Sequence, residues 1–252
     1  MPLTLNRATR AISPLLLGGK EYVALMHLHG EVTEQLLVSV LDSFTGKIKQ
    51  LPPVRSHVKR QEREREIFYI DLLEIQGKDV LFRVGVQSGT YIRKLIHDIG
   101  QKLGAGAHMT ELRRTKVSHL SEKDRLVTLQ DLEDAVYLYL QESDGRLLDF
   151  SIQTIEKALD FLPKVMVSDT AVDPICLGAG VAIPGIVRLD DFKAGDRIFI
   201  STLKGELIAL GDAVLDSDKL IKMKKGIAVK TDSVIMLPGT YPRYKRKDIG
   251  SQ

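Results

Sequence analysis

The chain has 252 residues, 44% of them hydrophobic and 27% charged, which is enough for one sizeable core plus a smaller module and excludes disorder as the default state. A net charge of +3 makes it mildly basic, a balance that admits a polyanionic partner without requiring one. Its one cysteine, Cys176, excludes an intramolecular disulfide and a cysteine-cluster metal site, and no apolar stretch reaches the ~20 residues of a membrane-crossing helix.

The first residues show no charged region followed by an apolar run and a cleavage site, so the expected home is a reducing cytoplasm. A helix-like Ala8–Ser13 runs into Pro14 and Gly18-Gly19, then into Tyr22–His29, an apolar run that fits a buried strand. His27 and His29 share one face of that strand, with no third ligand at a recognised spacing, so no metal is expected. Val32, Leu36, Leu37, Val40 and Leu41 recur at helical spacing before Thr45-Gly46. Pro52-Pro53 forbids regular structure, and the charges of 50–66 predict an exposed loop entering a strand. Glu62, Glu64 and Glu66 nearly balance its cations, which leaves Arg55, Lys59 and Arg60 as the basic half. Ile67–Ile75 and Val80–Val86, joined by Gln76–Asp79, read as a hairpin.

In Ser88-Gly-Thr-Tyr91-Ile-Arg93 an aromatic and a cation stand where a strand becomes a helix. Thr90 reads as the N-cap, Ile92, Leu95, Ile96, Ile99 and Leu103 mark the apolar face, and Gly104 marks the end. Glu111–Val117 reads as a short strand carrying cations, Thr128-Leu-Gln-Asp131 as a capping-box start to a helix through Leu140, and Ser151–Leu162 as a further helix ended by Pro163. From Val165 the texture changes to short β-rich runs: Val165–Val167, Val181–Ile183, Asp196–Ile200, Glu206–Leu210, Gly226–Lys230 and Val234–Leu237. Such spacing predicts a small barrel or sandwich with a domain boundary near Pro163.

A phenol and a guanidinium can pack on a nucleobase and pair with a carboxylate, but neither is a nucleophile here, so Tyr91 and Arg93 read as half of an active site. By residue type alone Tyr22 also fits a strand filler, and Tyr91 and Arg93 a packing ring and a solvated charge. An arginine at the positive end of a helix dipole is unfavourable by up to ~1 kcal/mol, which argues for a carboxylate partner.

Lys20-Glu21-Tyr22, Pro52-Pro53-Val-Arg-Ser56, Val58-Lys59-Arg60, Ser88–Arg93 and His108-Met-Thr-Glu-Leu112-Arg113-Arg114-Thr115 follow one another along the chain. In that order they resemble the K-x-Y, S-G-T-Y-I-R and H-M-x-E-L-R-R-T elements of TruB-family pseudouridine synthases, in the archaeal and eukaryotic branch that includes dyskerin. Gly178–Ile186 and Ile208–Ala213 resemble the glycine-proline turn and a later strand of a PUA domain. The resemblance covers nearly the whole chain. It implies an α/β (α+β) protein: a mixed-sheet catalytic domain over 1–162, a small all-β PUA barrel over 163–241 and a basic tail over 242–252.

The activity so implied is isomerisation of uridine to pseudouridine in RNA. The substrate is either the T-loop uridine of tRNA or a guide-selected uridine within an H/ACA particle containing small protein partners. No cofactor, metal or membrane is implied. The flipped uridine would stack on Tyr22 against the apolar wall of Leu112. Tyr91 would help remove the ring proton after reattachment through carbon, and Arg93 would hold the catalytic aspartate ionised. Arg55, Lys59, Arg60, Arg113, Arg114, Gly178 and Gly180 would contact RNA. The family aspartate lies in a G-G-T-L-D-P loop shortly before L-P-V-x-L-x-x-A-T. Met1–Thr9 aligns with that second element, so the aspartate position falls ahead of Met1, and the expected start lies upstream with Met1 standing for a leucine codon. The rival expectation is a non-catalytic RNA-binding scaffold that keeps the pocket and the PUA module.

Overall fold

The computed structural model describes residues 2–52, 61–124 and 126–242. The chain forms two compact units, Leu15–Leu126 and, together, Pro2–Pro14 with Val127–Gln252, each built around a six-stranded sheet. The class is the expected mixed α/β.

In chain order come α1 (Ser13–Leu17) and then, in the first unit, β1 (Lys20–Leu28), α2 (Glu34–Asp42), β2 (Gly46–Gln50), β3 (Arg63–Gln76), β4 (Asp79–Val86), α3 (Ile92–Lys102), β5 (Ala107–Val117) and β6 (Leu120–Ser121). The sheet order is β2-β3-β4-β1-β5-β6, with β1 antiparallel to both neighbours. Alternation along β1 buries Ala24, Met26 and Leu28. They pack with Val80, Phe82 and Val84 of β4, Leu37 and Leu41 of α2, and the expected stripe Ile92, Leu95, Ile96, Ile99 and Leu103 of α3.

Two expectations need correction here. Arg63–Glu66 belong to β3 and not to a loop, because β2 supplies a partner strand and its lysines neutralise the acidic residues, Lys47 on Glu64 at 2.9 Å and Lys49 on Glu62 at 3.9 Å. The N-cap of α3 is Tyr91 and not Thr90, whose hydroxyl donates to the Gln87 carbonyl at 2.8 Å and closes a turn through Gly89 at φ +84°.

The second unit contains α4 (Leu129–Glu142), α5 (Arg146–Ser151), α6 (Ile155–Ala158), β7 (Lys164–Val167), α7 (Asp169–Cys176), β8 (Val181–Ala182), β9 (Ile186–Leu189), β10 (Arg197–Ser201), β11 (Leu207–Ala213), α8 (Ser217–Leu220) and β12 (Ile227–Val234). Its barrel-like sheet runs β8-β12-β11-β10-β7-β9 around Val165, Val167, Ile198, Ile200 and Ile208. The capping box is present, with Asp131 N donating to Thr128 Oγ1 at 3.1 Å and Thr128 N donating to Asp131 Oδ2 at 2.8 Å.

The helix expected over Ser151–Leu162 is instead the end of α5 and the four-residue α6, because Thr154 caps a new start by accepting from Lys157 N. The runs Gly226–Lys230 and Val234–Leu237 contribute to the single strand β12, and β9 forms outside the expected β-rich runs. Cys176 is buried at the end of α7, where desolvation pushes its thiol pKa up. The N-terminal residues join this unit through Arg7 Nε, which donates to the Ile235 carbonyl at 2.6 Å, and Arg10 Nη1, which donates to that of Val234 at 3.2 Å. Among the described residues no helix is long and apolar enough to cross a membrane.

Candidate functional site

The three sequence elements meet where β1 begins. Lys20 pairs in register with Val86 at the end of β4 and with Val117 at the end of β5. Its ammonium donates to the Gly18 carbonyl at 2.7 Å, to Ser88 Oγ at 3.0 Å and to the Leu16 carbonyl, while Ser88 Oγ donates to that same carbonyl at 2.8 Å. Lys20-Glu21-Tyr22 is thereby tied by side chains to Ser88–Arg93. Partial burial, and then the nearby Arg114 charge, lower the pKa of Lys20.

Strand β5 reaches the same place through two bulges. The register slips between Leu25 and Met26 and again between Glu21 and Tyr22, leaving Thr110 and Thr115 as the extra residues. Both hydroxyls are used: Thr110 donates to the Leu25 carbonyl at 3.0 Å and Thr115 to Glu21 Oε1 at 2.7 Å. Between the bulges Leu112 pairs with Ala24, Arg113 with Val23, and Arg114 with Tyr22. Paired residues share a face, so Leu112 and Arg114 stand on the side of Tyr22, which packs against the core, and Arg113 stands on the other side. There Arg113 meets Glu122 at 2.7 Å. Arg113 and Arg114, each expected to contact RNA, therefore stand on opposite faces, while Leu112 stays 41% exposed beside Arg114.

Glu21 lies on the same side as Arg113. It accepts from Thr115 and from the Tyr69 hydroxyl, and the Tyr69 ring crosses Gly85 so closely that a Cβ there would sit 2.3 Å from it. The Tyr69 hydrogen bond, followed by that of Thr115, holds the Glu21 carboxyl below its ordinary value, while desolvation and the Glu21 carboxylate push Tyr69 up to about 12. A phenol with a raised folded-state pKa stabilises fully below its ordinary value of 10.0, and that contribution is lost as pH rises toward about 12. A depressed carboxyl stabilises above its ordinary value of 4.5 and loses that contribution as pH falls. Tyr69→Phe should therefore cost about 1–3 kcal/mol at neutral pH and flatten the alkaline loss. Urea melts across the alkaline range check this, and an unchanged pH profile in the variant would refute it. The contacts of Glu21 also keep this carboxylate off the Tyr22 face.

At the start of α3, Tyr91 caps the helix with an extended backbone (φ −95°, ψ 104°) and no side-chain cap. Gln50, only 3% exposed, accepts from Tyr91 N at 3.0 Å and donates through Nε2 to the Tyr91 carbonyl at 3.2 Å. Arg93 is exposed and forms no ion pair with any described residue. Sequence reading missed Gln50, since nothing in a polar residue ahead of a proline pair marks it as buried. Arg55, Lys59 and Arg60 lie outside the described residues.

In the second unit Gly178 ends α7 at φ +95°, with its N–H donated to the Ile175 carbonyl at 2.9 Å, and Gly180 has no room for a Cβ, which would lie 2.9 Å from Ile227 Cγ2. Gly178 thus has a conformational reason and Gly180 a steric one to be glycine. Among the described residues no group of three or more metal-ligating side chains is assembled; His27 pairs with Asp79 at 2.7 Å and His29 Nε2 with His108 Nδ1 at 2.8 Å.

Residues 1–92 match the N-terminal domain of TruB family pseudouridylate synthases, residues 93–160 the C-terminal domain of tRNA pseudouridylate synthase B, and residues 163–235 the PUA domain. A probable tRNA pseudouridine synthase B of Thermococcus gammatolerans is 50% identical over 244 residues, spanning 96% of this chain and 73% of its own. The chain belongs to the TruB family of pseudouridine synthases. A further TruB-family relative, from Methanopyrus kandleri and with the same printed name, is 50% identical over 96% of this chain and 72% of its own length. Among solved structures, a chain of a Cbf5-Nop10-Gar1 complex is similar with a TM-score of 0.90 at 49% identity, covering 96% of this chain and 74% of that one. One from an H/ACA RNP bound to a substrate RNA containing 2'-deoxyuridine has a TM-score of 0.86 at 47% identity, covering 95% and 73%.

Proposed function

We propose that this TruB-family chain converts uridine to pseudouridine in RNA, at the T-loop uridine of tRNA or at guide-selected sites in an H/ACA-type particle. The particle would contain small protein partners of the kind seen with its structural neighbours. The observation that carries the reading is the convergence at one end of the sheet: Tyr22, Leu112 and Arg114 share a face, and the Lys20–Ser88 bond ties that strand to the segment bearing Tyr91 and Arg93.

Each side chain then has a task. The flipped base stacks on Tyr22 with Leu112 as its apolar wall, which offsets the few kcal/mol of lost stacking in the RNA. Arg93, unpaired among the described residues, holds the nucleophilic aspartate of the family loop ionised and oriented. Tyr91 assists removal of the ring proton after the base has been detached, turned and rejoined through carbon. Arg114 contacts phosphate, as do Arg55, Lys59 and Arg60; Arg113, neutralised by Glu122, contributes less. Residues 1–162 act as the catalytic domain. The PUA module over 163–241 uses the Gly178–Gly180 turn to approach the partner RNA, and 242–252 forms a basic tail. The setting is cytoplasmic.

The deciding experiment joins a family segment carrying the aspartate loop ahead of Pro2 and measures uridine isomerisation in bare tRNA and in guide-paired RNA with the particle proteins. Activity on tRNA alone favours the stand-alone enzyme, and activity only with guide favours the particle subunit. RNA binding without isomerisation under either condition favours the scaffold and overturns the enzymatic reading.

A further inference from the structure

We infer that Gln50 is a positioning residue that holds Tyr91 in its working orientation, an inference that rests on Tyr91 serving the proposed isomerisation. Gln50 is the last residue of β2 and the only buried one in that strand. A buried primary amide must be satisfied at both its carbonyl and its amino end. Gln50 meets this with a single partner 41 residues away, accepting the Tyr91 N–H at 3.0 Å and donating to the Tyr91 carbonyl at 3.2 Å. The side chain thereby acts as one rung of an antiparallel ladder beside a residue that belongs to no strand.

The grip falls where the helix cannot supply one. Tyr91 lacks a side-chain cap, so its N–H has no partner within the helix, and its carbonyl is already the acceptor for Leu95 N at 3.0 Å, the opening bond of α3. Gln50 satisfies the N–H and adds a second donor to the carbonyl, which fixes the backbone on both sides of the Tyr91 Cα. The phenol hydroxyl makes no hydrogen bond to a described residue, and the Gln50 grip on the backbone sets the direction in which the Tyr91 side chain leaves the chain. Proton transfer is sensitive to displacements of about 1 Å, and a residue that sets the direction of Tyr91 sets the rate without touching the base.

Charge makes the inference testable. Gln50→Glu preserves size and can still accept from Tyr91 N–H, but as a carboxylate it sets two acceptors against each other at the Tyr91 carbonyl. Once protonated it donates there again. Gln50→Ala loses both bonds. The full chain labelled with fluorotyrosine reports on this directly, the Tyr91 fluorine resonance being the one that disappears in Tyr91→Phe. The Tyr91 resonance is expected to shift or broaden in Gln50→Ala and in Gln50→Glu in neutral buffer, and to return for Gln50→Glu in acidic buffer, while the Tyr69 resonance stays in place. A Tyr91 resonance that stays put in Gln50→Ala overturns the inference. Should Gln50→Ala fail to fold, a Tyr91 resonance in Gln50→Glu that is the same in neutral and acidic buffer overturns it as well.

In the protein extended with the aspartate loop, Gln50→Ala should lower kcat about 10- to 100-fold with KM for RNA little changed. If the unsubstituted extended protein is inactive while the Tyr91 resonance still responds to Gln50, the proposed reaction fails and the positioning stands. If that protein is active and the resonance is indifferent to Gln50, the positioning alone fails.

Discussion

Tyr91→Phe should slow isomerisation of a target uridine by about 10²- to 10⁴-fold in the protein extended with the aspartate loop, with RNA affinity unchanged. The substitution removes one oxygen and keeps the ring. Binding by stacking and shape survives, and only proton handling is lost. Because the hydroxyl bonds to no described residue, folding stability should move by less than about 0.5 kcal/mol. Single-turnover rates at saturating enzyme separate chemistry from binding. A rate within a few-fold of the unsubstituted protein would remove Tyr91 from the proton transfer and leave it a packing ring.

The largest effect on folding is expected from Phe82→Ala, at about 3–5 kcal/mol. Phe82 is fully buried in β4, in register with the small Ala24 on one side and Leu72 on the other. Phe82 shares one core cluster with Ala24, Leu37 and Leu41 of α2 and Leu95, Ile96 and Ile99 of α3, so truncation leaves a cavity in close-packed surroundings. A loss of this size is a large share of the ~5–15 kcal/mol by which a domain is stable, and urea unfolding at fixed temperature would show it. A change below about 1 kcal/mol would mean that the core repacks around the site.

Much of this architecture can be read from the residues. The stripe Ile92, Leu95, Ile96, Ile99 and Leu103 is the buried face of α3, and the Thr128–Asp131 box starts α4, because helical periodicity and capping are local properties. What escaped reading depends on partners distant in sequence. Strand β2 has a single apolar side chain, Ile48, and exists because β3 pairs with it; the charges of Arg63–Glu66 read as solvent-exposed for the same reason. Thr90 has the chemistry of a cap, but its hydroxyl goes to the preceding turn. The motifs that carry Tyr22, Tyr91, Arg93, Leu112, Arg113 and Arg114 can be read in order along the chain. The face each takes, and the grip of Gln50, required the register of the sheet.

Counting back by twos from Val117, which pairs with Lys20 on the Tyr22 side, would place Arg113 on that side and Arg114 away from it. The bulge at Thr115 reverses this, and the bulge at Thr110 resets the count again, so residues 111–114 form a short cassette whose phase is independent of the strand on either side. A single residue gained or lost inside it would exchange the surroundings of Arg113 and Arg114, turning one guanidinium to the Tyr22 side and the other to the side of Glu122. The spacing between two threonines thus encodes which arginine shares the face of Tyr22.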